Sequence, residues 1–323
     1  MKPLHTIALT ISLGLGLLLA PLRVAAQQFP DGITPHDSYL SAVRLLHIVD
    51  VLLQAKGVEA PPVPEVNETG LGPFHVYQMA LTAASRVQEF DLRVGVQPFP
   101  TIASSPRLLA PRDVKYVADL MAENLQHAAQ KLGVEDRLPA DLPPVTGKTP
   151  TDVFTVLVEV FVKLDRLCGH DKISHNEVYA QLVRATADVR SILQQGDPAS
   201  RYRIDAPATD ADRTPRHVLE SALAIRETIK QLSERMDMQP TPLPTGVAAG
   251  EVGPDHPFVQ TQIIIAELNL LKVHLQTTSS TPLAIPVAGK TPTHVQQQAL
   301  LMHHLLQQVP KILERMSFGS VDQ

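Results

Sequence analysis

Apolar residues recur at helical spacing along most of the chain, in stretches of roughly 20 residues. The first stretch has them at Leu40, Val43, Leu46, Val49 and Leu53, which fall on one face of a helix with about 3.6 residues per turn. Seven similar stretches follow, separated by proline-rich segments. The pattern predicts an all-α fold with eight main helices.

Each predicted helix begins with the same local sequence. Thr, Ser, Gly or Ala stands at the cap, and proline usually follows at the first helical position, where its missing N–H costs nothing. The predicted first residues are Pro35, Pro73, Pro111, Pro150, His175, Pro215, Pro254 and Pro292. These starts lie 38 to 40 residues apart, except for one interval of 25, so the chain divides into two halves of four helices.

A repeated decamer links the two halves. PVTGKTPTDV at Pro144–Val153 returns as PVAGKTPTHV at Pro286–Val295, identical at eight of ten positions and 142 residues further on. Such a match indicates an internal duplication. We therefore predict tandem duplicated four-helix modules, residues 27–170 and 171–323, with a closed eight-helix array as the alternative. The lysines of the decamer, Lys148 and Lys290, lack the upstream glycines of a phosphate loop and are expected in solvent.

Long, proline-rich extended connections join the predicted helices, as in residues 58–72 and 96–110. About 16 extended residues can span the roughly 30 Å of a 20-residue helix. Consecutive helices can therefore be parallel, although antiparallel neighbours are equally compatible with the sequence. Only residues 168–173 separate the fourth and fifth helices, which favours an antiparallel junction between the halves.

The N-terminus has the pattern of a secretory signal peptide. Lys2 precedes an apolar run of 14 residues, 7–20, and small residues at 24–26 provide a cleavage site near Ala26. The run is short for a transmembrane helix, which needs about 20 residues. No later segment looks apolar enough to span a bilayer, so we expect an exported protein, periplasmic or extracellular, without a transmembrane segment in the mature chain.

Composition narrows the classes of function. Cleavage after Ala26 removes Lys2 and Arg23 and leaves 26 basic against 33 acidic residues, a net charge of −7 that disfavours a nucleic-acid partner. Cys168 is the only cysteine, so internal disulfides and multi-cysteine metal sites are excluded, and we expect it to be buried. No nucleophile or nucleotide-binding motif is recognisable, so no catalytic residue is assigned.

Only acids and histidines occupy the third helical position: Asp37, His75, Asp113, Asp152, Glu177, His217, His256 and His294. A carboxylate or a neutral imidazole there can accept a hydrogen bond from the cap. Alternatively, His75, Asp152, His217, His256 and His294 are ligands of a divalent transition metal. If the helices alternate in direction, His75 meets Asp152, and His217 meets His294.

Aromatic residues recur at the fifth helical position: Tyr39, Tyr77, Phe154, Tyr179 and Phe258. They form either a repeated core layer or the lining of a groove for an apolar or peptide ligand. The sequence thus predicts an exported, non-enzymatic helical-repeat binding or scaffold protein with a protein or small-molecule partner. A metal-binding protein, using the histidines and Asp152, is the alternative, and no other cofactor is expected.

Overall fold

The structure, a computed structural model, describes residues 32–138, 142–196, 207–210, 212–246 and 251–318. The predicted signal peptide lies outside these residues. The α-helices are α1 (Pro35–Lys56), α2 (Pro73–Val94), α3 (Pro111–Leu132), α4 (Pro150–Leu167), α5 (His175–Gly196), α6 (Pro215–Arg235), α7 (Asp255–His274), α8 (Pro292–Leu306) and α9 (Val309–Phe318). Within the described ranges there is no β-strand, only an isolated antiparallel bridge between Ser104 and Thr281. The all-α fold with eight main helices is confirmed.

The helices pack as two four-helix bundles with the same order of neighbours. In the first bundle the order around the core is α1, α3, α2, α4, and in the second it is α5, α7, α6, α8. Helices consecutive in the chain therefore lie diagonally opposite each other. The two orders correspond helix by helix, as an internal duplication would produce. That duplication, and the module boundaries at 170 and 171, remain predictions.

All four helices of a bundle point in the same direction. In the first bundle, Ser38 Oγ in α1 donates a hydrogen bond to the carbonyl of Pro111 at the start of α3, at 2.8 Å. Leu71 N, before α2, donates to Thr151 Oγ1 at the start of α4, at 3.3 Å. A small cavity at this end is lined by Pro35, Pro73, Pro111 and Pro150 together with side chains of the first helical turns. The extended connections thus return the chain along the bundle, which is the parallel option that the sequence left open.

The two bundles pack side by side in opposite directions, with α2 against α7. Arg86, late in α2, forms an ion pair with Glu177 in the first turn of α5. Phe161, late in α4, stacks on Phe258 in the first turn of α7, with ring centroids 4.8 Å apart. The start of the second bundle therefore lies beside the far end of the first. This is the antiparallel junction that the short connection between α4 and α5 favours.

The helix α7 is buried on nearly all sides. Fifteen of its 20 residues are buried, because the second bundle covers one face and α2 covers another. Its sequence contains the run Ile263–Leu268, IIIAEL, which is apolar around most of the helix circumference. The β-branched residues Ile263–Ile265 thus reflect a helix that is buried on most sides, and they do not form a strand.

Prolines explain two differences from the predicted helix bounds. The seventh helix begins at Asp255, one residue later than predicted, because Pro257 has no N–H to donate to the Gly253 carbonyl; the first bond runs from Phe258 N to Pro254 O, at 3.1 Å. The eighth helix ends at Leu306, because Pro310 cannot donate to the Leu306 carbonyl. A short further helix, α9, follows and packs against α5.

Of the described helices, α1 is long and apolar enough to cross a membrane by length and composition, a property shared by core helices and signal sequences. This differs from the expectation that no segment after the signal peptide reaches that apolarity. Leu45, Ile48 and Leu52 of α1 are fully buried in the first bundle. Burial in the bundle core accounts for its composition.

A buried carboxylate in the first bundle carries a testable pH dependence. Asp91 is fully buried, its Oδ2 accepts a hydrogen bond from Asn124 Nδ2 at 2.7 Å, and burial raises its pKa to about 6 from an ordinary value of 3.8. Because the pKa of Asp91 is raised in the folded state, its contribution to stability is fully present below pH 4 and is lost as the pH rises from 4 to 6.

We expect Asp91→Asn to increase the free energy of unfolding by about 2 kcal/mol at pH 7.5, because the amide removes the buried charge. The gain should shrink towards zero at pH 4, where the wild-type carboxyl is protonated. Urea unfolding at pH 4 and pH 7.5 measures both values. A variant no more stable than wild type at pH 7.5 contradicts the prediction.

Candidate functional site

Three of the histidines at helix starts form hydrogen bonds to their own caps. The Nδ1 atoms of His75, His217 and His294 accept from the backbone N–H of the cap residue at 2.9, 3.1 and 3.2 Å. An imidazole that accepts at Nδ1 is neutral and carries its proton on Nε2. These side chains therefore do at the helix start what Asp37 and Asp152 do elsewhere, where the carboxylate accepts from Thr34 N and Thr149 N at 2.7 Å.

The remaining members of the proposed metal set lie apart. Asp152 is engaged in its own capping box, and the hydrogen bonds from Thr149 lower its pKa. His256 lies at the second helical position, where its Nδ1 is 3.1 Å from Asp255 Oδ1, and this contact raises the pKa of His256. Among the residues that the structure describes, no group of three or more His, Cys, Asp and Glu side chains is placed to hold a metal ion. All four starts of the first bundle meet at one end, so His75 and Asp152 share that end without alternating helices.

Removal of a capping imidazole should have a modest effect. His217→Ala should lower the free energy of unfolding by about 1 kcal/mol, because the Thr214 amide loses its acceptor. His217→Asp should retain full stability, because a carboxylate accepts the same bond and favours the positive helix end. Urea unfolding of both variants at pH 7 tests the capping role. A loss in His217→Asp as large as that in His217→Ala would contradict it.

The aromatic residues at the fifth position occupy separate contacts. Phe154 and Phe258 are buried in the core, and Tyr77 is buried with Arg107 over its ring. Tyr39 and Tyr179 are half-buried at the starts of α1 and α5. The described structure does not bring the five rings together into one groove.

In each bundle the lysine of the repeated decamer contacts the first helix. Lys148 Nζ lies 4.4 Å from the centre of the Tyr39 ring, and Lys290 Nζ lies 4.2 Å from that of Tyr179. Both lysines are half-buried, so each is only partly in solvent, with its ammonium over a ring at the start of α1 or α5. Gly147 has a φ of 74°, which an L side chain rarely adopts.

A cleft opens at the junction of the two bundles. It has a volume of about 40 Å³ and lies where the connection between α1 and α2 meets α6, α7 and the connection between them. We call it the junction cleft. Its lining consists of Pro64, Glu65, Val66, Asn67, Glu68, Leu219, Leu223, Pro244, Gly246, His256, Val259 and Gln260. Apolar walls with a few polar groups are a feature of ligand sites, and a volume this far below the roughly 300 Å³ of a small-molecule pocket suits one side chain of a larger partner.

Residues 64–68, hereafter the strap, belong to the first bundle and lie on the second. The strap ends at Glu68, whose side chain is 2% exposed and bonds Arg226 of α6, which is fully buried. Arg226 Nη1 donates to Glu68 Oε2 at 2.9 Å, and Gln260 Nε2 of α7 donates to Glu68 Oε1 at 2.7 Å. Both carboxylate oxygens of Glu68 therefore accept hydrogen bonds from side chains of the second bundle.

Arg226 is fixed by further partners. Its Nη2 donates to the carbonyl of Pro242 at 2.9 Å, and its Nη1 to Gln260 Oε1 at 2.6 Å. On the other side, Arg226 Nε lies 3.9 Å from Glu267 Oε1, which is also 3.9 Å from His75 Nε2. Two buried carboxylates thus flank one guanidinium between the bundles.

Two more buried ionic clusters lie elsewhere, one between α2, α4 and α5 and the other between α5 and α7. Arg86 Nε lies 2.7 Å from Asp165 Oδ1, and burial raises the pKa of Asp165 to about 6. Cys168 is buried beside them, and burial raises the pKa of its thiol to about 12, so the expectation of a buried cysteine is confirmed. In the second bundle, Lys272 Nζ donates to Asp188 Oδ1 at 2.6 Å.

No family model, curated protein or solved structure matched this chain.

Proposed function

We propose that the protein is an exported, non-enzymatic binding protein that holds its partner at the junction cleft. The observation that carries the proposal is the construction of this cleft from both bundles, with apolar walls and convergent polar groups. Leu219, Leu223 and Val259 form apolar lining, while Gln260 and His256 present polar atoms. Sites of this kind favour binding of a partner that presents both an apolar and a polar group.

The α6 and α7 walls of the cleft are rigidly supported, which favours binding over catalysis by a mobile loop. Arg226 of α6 donates to Gln260 Oε1 of α7 at 2.6 Å, and the stacked rings of Phe161 and Phe258 fix the two bundles against each other. Walls that are formed before binding lose little conformational entropy when a partner binds. The signal-peptide pattern of residues 1–26 supports a role outside the cytoplasm.

Native mass spectrometry of the untagged mature protein, purified from the exported fraction, tests the proposal. We expect a retained partner molecule on the wild type and its loss in Leu223→Trp, which fills the cleft. Ala224→Trp is the matched control, because Ala224 is the next residue of α6 and is exposed. A wild type that retains nothing, or a partner lost equally from both variants, would overturn the junction cleft as the binding site.

A further inference from the structure

Building on the proposed function, we propose that the groove between α6 and α7 at the junction cleft recognises an extended acidic segment of a partner protein. The recognised segment carries an aliphatic residue two positions before a glutamate. The strap, with Val66 and Glu68, occupies this groove within the chain itself and is the segment that the partner displaces.

The alternation of burial along the strap defines the spacing. Val66 is half-buried against the core and Glu68 is buried, whereas Glu65 and Asn67 are exposed. Successive side chains of an extended chain point to opposite sides, so residues two positions apart enter the same groove. An aliphatic residue can therefore contact the apolar wall while a glutamate two positions later binds Arg226.

The second bundle builds the carboxylate seat without help from the strap. Arg226 is held by the Pro242 carbonyl and by Gln260 Oε1, both from the second bundle. The Nη1 of Arg226 and Nε2 of Gln260 remain aimed at a carboxylate, as their bonds to Glu68 show. Charge-assisted bonds from a guanidinium favour a carboxylate over an amide, so the seat selects glutamate against glutamine.

The strap contacts the groove over a short stretch. It consists of five residues, of which Glu65 and Asn67 are exposed at the rim of the cleft, and the cleft has a volume of about 40 Å³. A longer partner segment can use the same seat and add contacts with Leu219, Leu223 and Pro244 in the cleft. These additional contacts, which the strap does not make, allow such a segment to compete with the strap for the groove.

Peptide binding to a variant with a weakened strap tests the proposal. The probe is a fluorescent ten-residue peptide with the sequence of residues 61–70, PPVPEVNETG, and the matched peptide has glutamine in place of its second glutamate. Fluorescence anisotropy should show the first peptide binding Glu68→Gln at least tenfold more tightly than it binds the wild type. It should also bind Glu68→Gln at least tenfold more tightly than the matched peptide does.

The control variant is Glu59→Gln, an exposed position in the same connection, which should bind the peptide no better than the wild type. Equal binding of the two peptides, or no binding to Glu68→Gln, would overturn the proposal. If circular dichroism shows that Glu68→Gln is unfolded, hydrogen exchange of the wild type tests the proposal instead. An excess of the first peptide should then speed exchange at residues 65–68, and unchanged exchange overturns the proposal.

The oligomeric state separates a foreign partner from a second copy of this chain. Under the proposal the wild type is a monomer by size-exclusion chromatography with light scattering. A dimer that dissociates when the first peptide is added would mean that a second copy supplies the acidic segment, which overturns the assignment to a partner protein. Retention of a small molecule in native mass spectrometry without peptide binding would overturn this inference and leave the proposed function intact.

Discussion

Replacement of Arg226 by methionine should lower the free energy of unfolding by about 3 to 5 kcal/mol, because it leaves buried carboxylates without their cation. Glu68 would keep only the bond from Gln260, and Glu267 would lose the nearest positive charge, 3.9 Å away. Methionine has nearly the length of the arginine stem, so loss of packing contributes little. Urea unfolding at pH 7.5 measures the effect.

Lys230→Met provides the matched control on the same helix. Lys230 is half-exposed and forms only loose surface pairs with Glu227 and Glu234, at 3.8 and 3.9 Å, so its replacement should cost less than about 1 kcal/mol. In the double variant Arg226→Met with Glu68→Gln, part of the loss should be recovered, because one of the stranded charges is gone. A similar, small loss in Arg226→Met and Lys230→Met would show that the buried pair does not hold the bundles together.

Lys272→Met should be destabilising by a similar amount, about 3 to 5 kcal/mol at pH 8, with a pronounced dependence on pH. The Lys272 ammonium donates to Asp188 and to Thr281, and all three side chains are buried. Burial already raises the pKa of Asp188, and loss of the lysine raises it further. Because a raised pKa in the folded state favours the protonated form, the loss should be smaller at pH 5 than at pH 8.

The double variant Lys272→Met with Asp188→Asn should recover part of the stability at pH 8, because the stranded carboxylate is gone, while the buried Arg184 nearby loses its interaction with Asp188. Lys172→Met, at an exposed position before α5, serves as the control and should leave stability nearly unchanged. Thermal unfolding of the wild type and the three variants at pH 5 and pH 8 measures these effects. A loss in Lys272→Met that is the same at both pH values would contradict the role of the stranded Asp188 carboxylate.

Helix starts could be predicted from the sequence because their determinants are local. Seven of the eight predicted first residues coincide with the structure, and the exception at Asp255 follows from Pro257, whose missing N–H the prediction did not consider. Capping residues and prolines act within one turn, so they fix where a helix begins whatever surrounds it.

The direction of the helices could not be predicted, because the same caps and connections are compatible with parallel and antiparallel neighbours. For the buried ion pair at the junction, the sequence indicates the arginine but not its partner. Arg226 stands at helical spacing from the buried Ala222 and Ile229, which indicates a charge on the apolar face of α6. Its partner Glu68 lies 158 residues away in an extended segment, and no periodicity connects the two. The junction cleft was missed for the same reason.

The diagonal placement of consecutive helices has a consequence for how the chain folds. In the first bundle α1 packs mainly on α3 and α4, and α2 packs on the same two helices. A nascent chain that ends after α2 thus has neither of the principal neighbours of its two helices. No helical hairpin can act as an early nucleus, so each bundle must close long loops before its first helix pair forms. We expect folding to be slow for a helical protein of this size, and to begin only when the third helix of a bundle is present.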